Sequence, residues 1–502
     1  MQTKPNHRHL FNMAIFAEVL LHPVDITIFI LYLLSMLGVG LYFWRRNKDI
    51  DDYFVGGRKM SSYHIGLSVV ATDVGGGFSI GLGGLGFAMG LSGSWMLFTG
   101  LIGAWLSGVF LIPQVFKILK KKSLFTFPEV FAHFYRPRVA LVAGLVSALG
   151  YIGFTSAQIL AGAKLASATF PSLSLHSAVW IMGITAVLYT VIGGLKAVIY
   201  TDTVQWILLM GGLICIGMPL AYFSVGGIEA IRTVVDPKLL QLQNISAIQL
   251  LNWAVTIVPI WFIGMTLYQR IYASRDEKTA RKAWFIAGIF EWPFMAFMGV
   301  LLGLFSRVAL HQGLFAELGY LHITDIDPEM GLPLLLRTIL PVGLMGLMMS
   351  AYFSAIMSTA DSCLMAASGN VVTDILSRWF RIPSHKLLRY SQLATLALGL
   401  LSLLIATAMT NVLDLMLMSY SFMVSGLLVP LLAAMFFKQH HSGAAMASML
   451  GGGGLTLLLE ALAMGKVWQL PWGLDPNIFG ISFSFMLYLT ISKTRQNGLH
   501  HH

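Results

Sequence analysis

The sequence predicts an all-α membrane protein with about thirteen transmembrane helices. Of its 502 residues, 57% are hydrophobic and only 11% are charged, whereas a soluble domain usually carries about 25% charged residues. Its apolar runs are about 20 residues long or longer, the length that a helix needs to cross the hydrocarbon core of a bilayer. Lys and Arg concentrate in alternate loops between these runs. Together the three observations exclude a soluble globular protein.

The predicted spans follow one another along most of the chain. In order they cover 24–45, 61–90, 93–116, 138–168, 174–194, 201–224, 247–270, 281–308, 333–376, 387–409, 412–437, 442–463 and 476–492. The segment at 333–376 is too long for one straight span, so we expect a surface or re-entrant piece before its helix begins near residue 340. The ends are predicted to be an extracellular segment over 1–23 and a cytoplasmic tail over 493–502, whose last residues resemble a purification-tag remnant.

The distribution of basic residues predicts the orientation. The loops after the first, third and seventh spans are the richest in Lys and Arg, and the last of these loops holds Arg270, Arg275, Lys278, Arg281 and Lys282. Cytoplasmic loops carry the excess of Lys and Arg. The N-terminus is therefore expected outside and the C-terminus in the cytoplasm, in a plasma or bacterial inner membrane. The same bias explains the net charge of +10 without a nucleic-acid partner.

The second span contains a cluster that an ordinary membrane helix does not need. It reads Ala71-Thr72-Asp73-Val74-Gly75-Gly76-Gly77. Each glycine costs about 1 kcal/mol of helix propensity relative to Ala, and unwound backbone at membrane depth is tolerated only where it is buried in protein or lines a cavity. Close helix packing alone would explain the glycines. It would not explain Asp73, so we favour a functional break whose carbonyl oxygens can bind a cation or a solute.

The ninth span places hydroxyl groups along one helix face. Ala355, Ser358, Thr359 and Ser362 are spaced i, i+3, i+4 and i+7, and Asp361 lies beside them. Ser and Thr in membrane helices often only bond their own i−4 carbonyl. With a carboxylate next to them, oxygen ligands for a hard cation such as sodium become the favoured interpretation.

Asp202 is ambiguous on sequence grounds. It follows Gly193-Gly194 and Tyr200-Thr201 at a predicted cytoplasmic helix start, where a carboxylate commonly caps a helix or interacts with its dipole. Elsewhere the chain shows no transition-metal spacing, no phosphate-binding glycine loop and no nucleophile–base constellation. We therefore expect neither an enzyme with catalytic residues nor an ATP-driven pump.

These segments resemble the sodium/solute symporter family, especially its proline-type and choline-type members. The resemblance covers about residues 24–490. It is carried by Asp51-Asp52-Tyr53-Phe54-Val55-Gly56-Gly57-Arg58, by Ala71 to Gly77, by Tyr189-Thr190-Val191-Ile192-Gly193-Gly194 with Tyr200-Thr201-Asp202, by Gln269-Arg270 and by Ala355 to Ser362. It implies a LeuT-like fold with a five-plus-five inverted repeat, whose first and sixth core helices are broken. The repeats would span 61–224 and 247–437, with one additional helix at 24–45 before them and two after them at 442–492.

The resemblance also implies which residues bind sodium. The conserved site would use Ala71 and Val74 of the broken first core helix, and Ala355, Ser358 and Thr359 of the eighth. Some members hold a second cation nearer the cytoplasm. The residues that match it here are Asp202, Asp361 and Ser362, together with Thr359, which makes the cation role of Asp202 as plausible as the capping role.

The expected solute is an amino acid or another zwitterionic or cationic amine. The proline-type carrier has an aspartate at the position of Asp73, whereas the choline-type carrier has a tryptophan there, and a buried carboxylate favours an amine. We expect the solute site to be lined by Asp73, Gly75, Gly76, Gln158, Trp261 and Tyr268.

The resemblance thus implies sodium-coupled symport by alternating access. The expected partners are sodium, a small solute and the lipid bilayer, without an obligatory protein partner. Two alternatives stay open. Uptake that persists without sodium but collapses with a pH gradient would indicate proton coupling, and binding without transport would indicate a membrane sensor with a transporter fold.

Overall fold

The computed structural model describes residues 22–44, 60–170, 173–380, 383–437, 440–465, 467–468 and 470–499. Their backbone is almost entirely helical. These described residues contain no strand, only one isolated bridge between Met60 and Ser274. The predicted all-α class is confirmed. The predicted extracellular segment lies almost wholly outside the described residues.

The first half of the chain supplies ten of the helices that we label. They are α1 Pro23–Trp44, α2 Ser62–Val74, α3 Gly76–Met89, α4 Trp95–Leu106, α5 Ile112–Leu119, α6 Pro128–Phe134, α7 Pro137–Thr169, α8 Leu175–Gly212, α9 Met218–Ser224 and α10 Gly227–Val234. Single π-helical turns at Ser107–Leu111 and Leu213–Gly217 join α4 to α5 and α8 to α9.

The second half supplies eleven more. They are α11 Ala247–Ile263, α12 Met265–Ala273, α13 Glu277–Ile289, α14 Ala296–His311, α15 Pro328–Ile339, α16 Leu344–Gly369, α17 Ser377–Phe380, α18 Ser384–Ala408, α19 Val412–Phe436, α20 Ser442–Met464 and α21 Pro476–Leu499.

Helix α8 differs locally from expectation. Its backbone is helical through 195–200, where the sequence predicts a loop between two spans. The stretch contains Gly193 and Gly194 but no proline. Glycine weakens a helix without removing a backbone donor, whereas proline removes the donor and clashes with the preceding turn. A glycine pair alone is thus not enough to end this helix.

One predicted feature of a later span is confirmed. The long segment at 333–376 is divided, because α15 ends at Ile339 and α16 begins at Leu344. The carboxylate of Asp25, near the start of α1, accepts the backbone N–H groups of Gly343 and Gly346 at 2.8 and 2.7 Å. It thereby satisfies donors at the start of α16 that have no partner within the helix. This bond joins the additional first helix to α16.

A second helix break lies between α11 and α12. The two helices meet at Gly264 with a bend of 40°. The hydroxyl of Tyr151 on α7 accepts the backbone N–H of Thr266 at 3.2 Å and lies 3.1 Å from its side-chain oxygen. Tyr151 therefore satisfies a donor that the break exposes. The glycine cluster predicts the break between α2 and α3, and the family resemblance implies a second broken helix; both breaks are present among the described residues.

The surface and the helix lengths are those of a membrane protein. Large apolar side chains such as Leu31, Leu188, Leu404 and Met486 are exposed on the outer helices, as lipid-facing positions require. By length and composition, seven of the described helical segments are able to span a bilayer, or eight if α11 and α12 form one bent span. The number thirteen therefore stays a prediction.

Candidate cation and solute site

The break between α2 and α3 lies directly against α16. A Cβ atom added at Gly75 would stand 2.0 Å from the hydroxyl oxygen of Thr359. No real side chain tolerates such a distance, so only glycine allows the backbone of the break to approach α16 this closely. The close approach brings residues nearly 300 positions apart in the sequence into one site.

Three of the predicted sodium ligands meet at this contact. The Thr359 hydroxyl donates to the backbone carbonyl of Ala71 at 3.0 Å and also lies 3.2 Å from the carbonyl of Ala355. All three residues are buried. One hydroxyl and two carbonyl oxygens from two helices thus lie within contact of each other, and such oxygens are what a hard cation prefers.

Val74 and Ser358, the other two predicted sodium ligands, border the same contact. Val74 is the last residue of α2, where carbonyl groups lack partners within their own helix. Ser358, one position before Thr359, donates its hydroxyl hydrogen to Asp202. A serine oxygen that gives its hydrogen to a carboxylate keeps its lone pairs for other partners. The Ser358–Asp202 bond therefore orients Ser358 as an acceptor.

Asp202 lies within the protein and does not merely cap a helix. Its side chain is fully buried and accepts hydrogen bonds from Ser358 on α16 and, at 2.5 Å, from Ser68 on α2. Asp202 itself belongs to α8. It therefore links three helices around the predicted cation site.

Arg270 lies in a different place from the one that the sequence predicts. The distribution of Lys and Arg predicts that it belongs to a basic cytoplasmic loop, but it lies in α12 with no exposed side-chain surface. Its guanidinium is 3.5 Å from Asp202 and donates to Thr72 and Ser362, both at 2.7 Å. The loop assignment is wrong because the position of a residue near a predicted span end does not reveal that the chain continues after Gly264 as the buried helix α12. The only signal in the sequence was the motif Gln269-Arg270.

The three residues predicted to hold a second cation do not converge on one point. Asp202 and Ser362 both contact Arg270. Asp361 instead accepts a hydrogen bond from Thr190 of α8, and its second carboxylate oxygen has no hydrogen-bond partner among the described residues. Asp361 is nevertheless buried.

The predicted solute-site residues are less closely grouped. Gly75 is the residue at the break and Gly76 begins α3, whereas the side chain of Asp73 lies outside the described part of the structure. Gln158, fully buried on α7, donates to the sulfur of Met416 on α19 at 3.7 Å. The lining role of these residues stays a prediction.

Two aromatic candidates surround the second break. Trp261 is buried in the last turn of α11, with its ring edge-to-face against Trp284 and beside Gly103 of α4. Tyr268 on α12 donates its hydroxyl to the carbonyl of Phe262 at 2.9 Å, and its ring packs on Phe127. Tyr268 therefore ties the two halves of this broken helix together.

The comparison with known families agrees with this geometry. The family model described as "Sodium:solute symporter family" matches residues 53–452, which is most of the chain. The chain belongs to the sodium:solute symporter family.

Its similar relatives are transporters for more than one kind of solute. The high-affinity proline transporter PutP of Bacillus subtilis is 27% identical over 391 residues, covering 75% of this chain and 79% of that protein. The sodium/proline symporter of Escherichia coli is 27% identical over 368 residues, covering 72% and 71%. The sodium/glucose cotransporter of Vibrio parahaemolyticus is 25% identical over 417 residues, covering 76% and 74%. The family member described here is thus a membrane transporter and not an enzyme.

A solved structure shows the same fold. It is the substrate-bound, outward-open state of a sodium-coupled sialic acid symporter, with a TM-score of 0.73 at 22% identity, covering 93% of this chain and 97% of the other. The predicted LeuT-like architecture is confirmed. The repeat boundaries at 61–224 and 247–437 stay predictions.

Proposed function

We propose that this family member is a sodium-coupled symporter that imports an amino acid or another zwitterionic or cationic amine by alternating access. Its N-terminus would lie outside and its C-terminus in the cytoplasm of a plasma or bacterial inner membrane. The observation that best supports sodium coupling is the contact of the Thr359 hydroxyl with the carbonyl oxygens of Ala71 and Ala355, beside the break at Gly75.

The cation site supports sodium coupling through the helices that it joins. A sodium ion held by α2 and α16 would be bound tightly only while these helices are close together. A ligand shifts an equilibrium between two conformations by its difference in affinity for them. Sodium binding would therefore favour one arrangement of the broken helix, and the solute would bind next to it. The membrane potential adds about 2.3 kcal/mol per charge per 100 mV to the driving force.

Asp73 and the proline-transporting relatives support an amine as the solute. A carboxylate beside the break offers a charge partner for an ammonium group, and it is costly at membrane depth without one. The sodium/glucose relative shows that family membership alone leaves the solute open. The choice of an amine thus rests chiefly on Asp73.

A thermal-unfolding screen of the purified protein tests the proposal. Amino acids, betaines, polyamines and sugars are added in sodium buffer and in potassium buffer of equal ionic strength. A ligand at 100 times its Kd stabilises the folded protein by about 2.7 kcal/mol. We expect an amino acid or amine to raise the melting temperature in sodium only. A sugar as the sole stabilising solute would contradict the amine assignment, and equal stabilisation in both buffers would contradict sodium coupling.

Uptake into proteoliposomes separates the mechanisms. Solute that accumulates with a sodium gradient, at equal pH on both sides, supports symport with sodium. Accumulation driven only by a pH gradient would replace sodium with protons as the coupling ion. Binding without any accumulation would indicate a sensor.

A further inference from the structure

The guanidinium of Arg270 lies among the residues that the family resemblance assigns to a second cation. Of the three residues assigned to that cation, two contact Arg270, namely Asp202 at 3.5 Å and Ser362 at 2.7 Å. The third, Asp361, bonds to Thr190 instead. A positive charge therefore already lies between the ligands that a second sodium ion would need.

Arg270 is held there by hydrogen bonds from several helices. Its Nε and Nη2 atoms both lie 3.3 Å from the hydroxyl of Ser68, and Nη2 is 2.7 Å from that of Thr72 on the same helix, α2. Nη1 donates to the carbonyl of Thr266 within α12 at 3.3 Å. With Asp202 on α8 and Ser362 on α16, four helices contribute partners. A buried guanidinium whose donors are satisfied in this way is a fixed part of the site.

The charges make a second ion beside Arg270 unfavourable. Arg270 and Asp202 are both fully buried and form a pair of opposite charges. A sodium ion added between Asp202 and Ser362 would lie against a guanidinium in surroundings of low dielectric constant, where like charges repel strongly. Arginine cannot relieve this repulsion by losing its proton. Because Arg270 already neutralises the charge of Asp202, the carboxylate is not available to balance the charge of a second ion.

We propose that Arg270 is a built-in cation that replaces the second sodium ion, so that this protein binds one sodium ion per chain. The proposal deepens the proposed function, because that single ion is the one assigned to Ala71, Val74, Ala355, Ser358 and Thr359. Asp202 then interacts with both positive charges, the sodium ion through Ser358 and the guanidinium of Arg270 directly. It orients the Ser358 hydroxyl towards the sodium site and neutralises Arg270 on its other side. Removing the guanidinium would leave Asp202 as a buried, unpaired anion, which a small cation can neutralise.

Equilibrium dialysis of the purified, full-length protein against radioactive sodium counts the ions directly, without a need for transport. The wild-type protein is expected to bind one sodium ion per chain. Arg270→Gln is expected to bind two, the second of them at Asp202. Arg270→Lys keeps the positive charge and is expected to stay at one. The double variant Arg270→Gln with Asp202→Asn removes both charges and is expected to lose the additional ion.

The sodium counts test the role of Arg270 and the proposed sodium coupling separately. Two ions in the wild-type protein, or one in a folded Arg270→Gln variant beside one in the wild-type, would overturn the built-in cation. If Arg270→Gln does not fold, the wild-type count and the Arg270→Lys count still decide between one ion and two. No sodium on the wild-type protein would refute the proposed sodium coupling instead. In that case an ion on Arg270→Gln that the double variant lacks would still support the role of Arg270, and its absence would refute that role.

Discussion

The hydroxyl of Thr359 donates to the carbonyl of Ala71 at 3.0 Å, across the break that separates α2 from α3. Thr359 belongs to the second predicted repeat and Ala71 to the first. A cation that binds both oxygens would replace this hydrogen bond with a stronger electrostatic link between the same two helices. The contact therefore marks where ion binding and helix arrangement are coupled.

Replacing Thr359 tests this contact. Thr359→Ala removes one of the oxygens and is expected to weaken sodium binding at least tenfold, or about 1.4 kcal/mol. Thr359→Ser keeps the hydroxyl and should lose much less. The readout is the sodium concentration that gives half of the maximal thermal stabilisation. Unchanged sodium dependence in both Thr359→Ala and Ser358→Ala would show that the ion binds elsewhere.

Gly75→Ala tests the close approach of the break to α16. The new methyl group would lie 2.0 Å from the Thr359 oxygen, so the two helices must separate. We expect a loss of about 1–3 kcal/mol in stability, as is typical of overpacked cores, and loss of sodium-dependent stabilisation. Gly211→Ala on α8 is the matched control, because a Cβ there meets no atom within 4 Å. If Gly75→Ala bound sodium like this control, the approach would not be needed for binding.

The break between α2 and α3 was predictable from composition, but the exact arrangement around it was not. A break in the sixth core helix was implied only by the family resemblance. Clustered glycines beside Asp73 indicate unwound backbone because each glycine lowers the helix propensity. Unpaired backbone groups are unfavourable in lipid, so such a cluster is expected only where the backbone is buried in protein or lines a cavity. Which glycine ends the helix depends on tertiary contacts. Here the helix ends at Gly75, where the close approach of Thr359 leaves no room for a Cβ atom. The continuity of α8 past Gly193 escaped prediction because glycine weakens a helix without removing a backbone donor.

The site was predictable where oxygen-bearing residues repeat along one helix face. Ser358, Thr359 and Ser362 follow that rule, and Thr359 meets Ala71 as expected. The position of Arg270 could not be predicted in this way. In the sequence, a single arginine near a span end looks the same whether it lies in an exposed loop or in a buried ion pair. Only the path of the chain after Gly264 distinguishes the two.

Asp73→Asn tests the charge that is proposed to bind the solute. The variant keeps the shape of the side chain and removes its negative charge. We expect the affinity for an amine solute to fall roughly tenfold to a hundredfold, or about 1.4–2.8 kcal/mol, while sodium binding is retained. The measurement is solute-dependent thermal stabilisation in sodium buffer, with the N-acetylated form of the same solute as the control. Equal losses for both solutes would argue that Asp73 shapes the site without pairing with the amine.

Lys164 and Glu329 form a second buried charge cluster, on the predicted outer side of the protein. The ammonium of Lys164 on α7 is 2.5 Å from Glu329 and also contacts Asp327. Glu329 in turn accepts the backbone N–H groups of Val412 and Leu413, both at 3.0 Å, at the start of α19. The cluster therefore joins α15 to α7 and α19.

Lys164→Met is expected to destabilise the fold because it leaves the buried carboxylate of Glu329, and the partly exposed one of Asp327, without their counter-charge. Breaking a buried pair in this way typically costs about 3–5 kcal/mol. Lys238→Met, at an exposed lysine of the same predicted face, should stay within about 0.5 kcal/mol of the wild-type protein. Adding Glu329→Gln to Lys164→Met removes one of the uncompensated charges and should recover part of the loss in thermal unfolding. If Lys164→Met were as stable as Lys238→Met, the cluster would contribute nothing to holding α15 against α7.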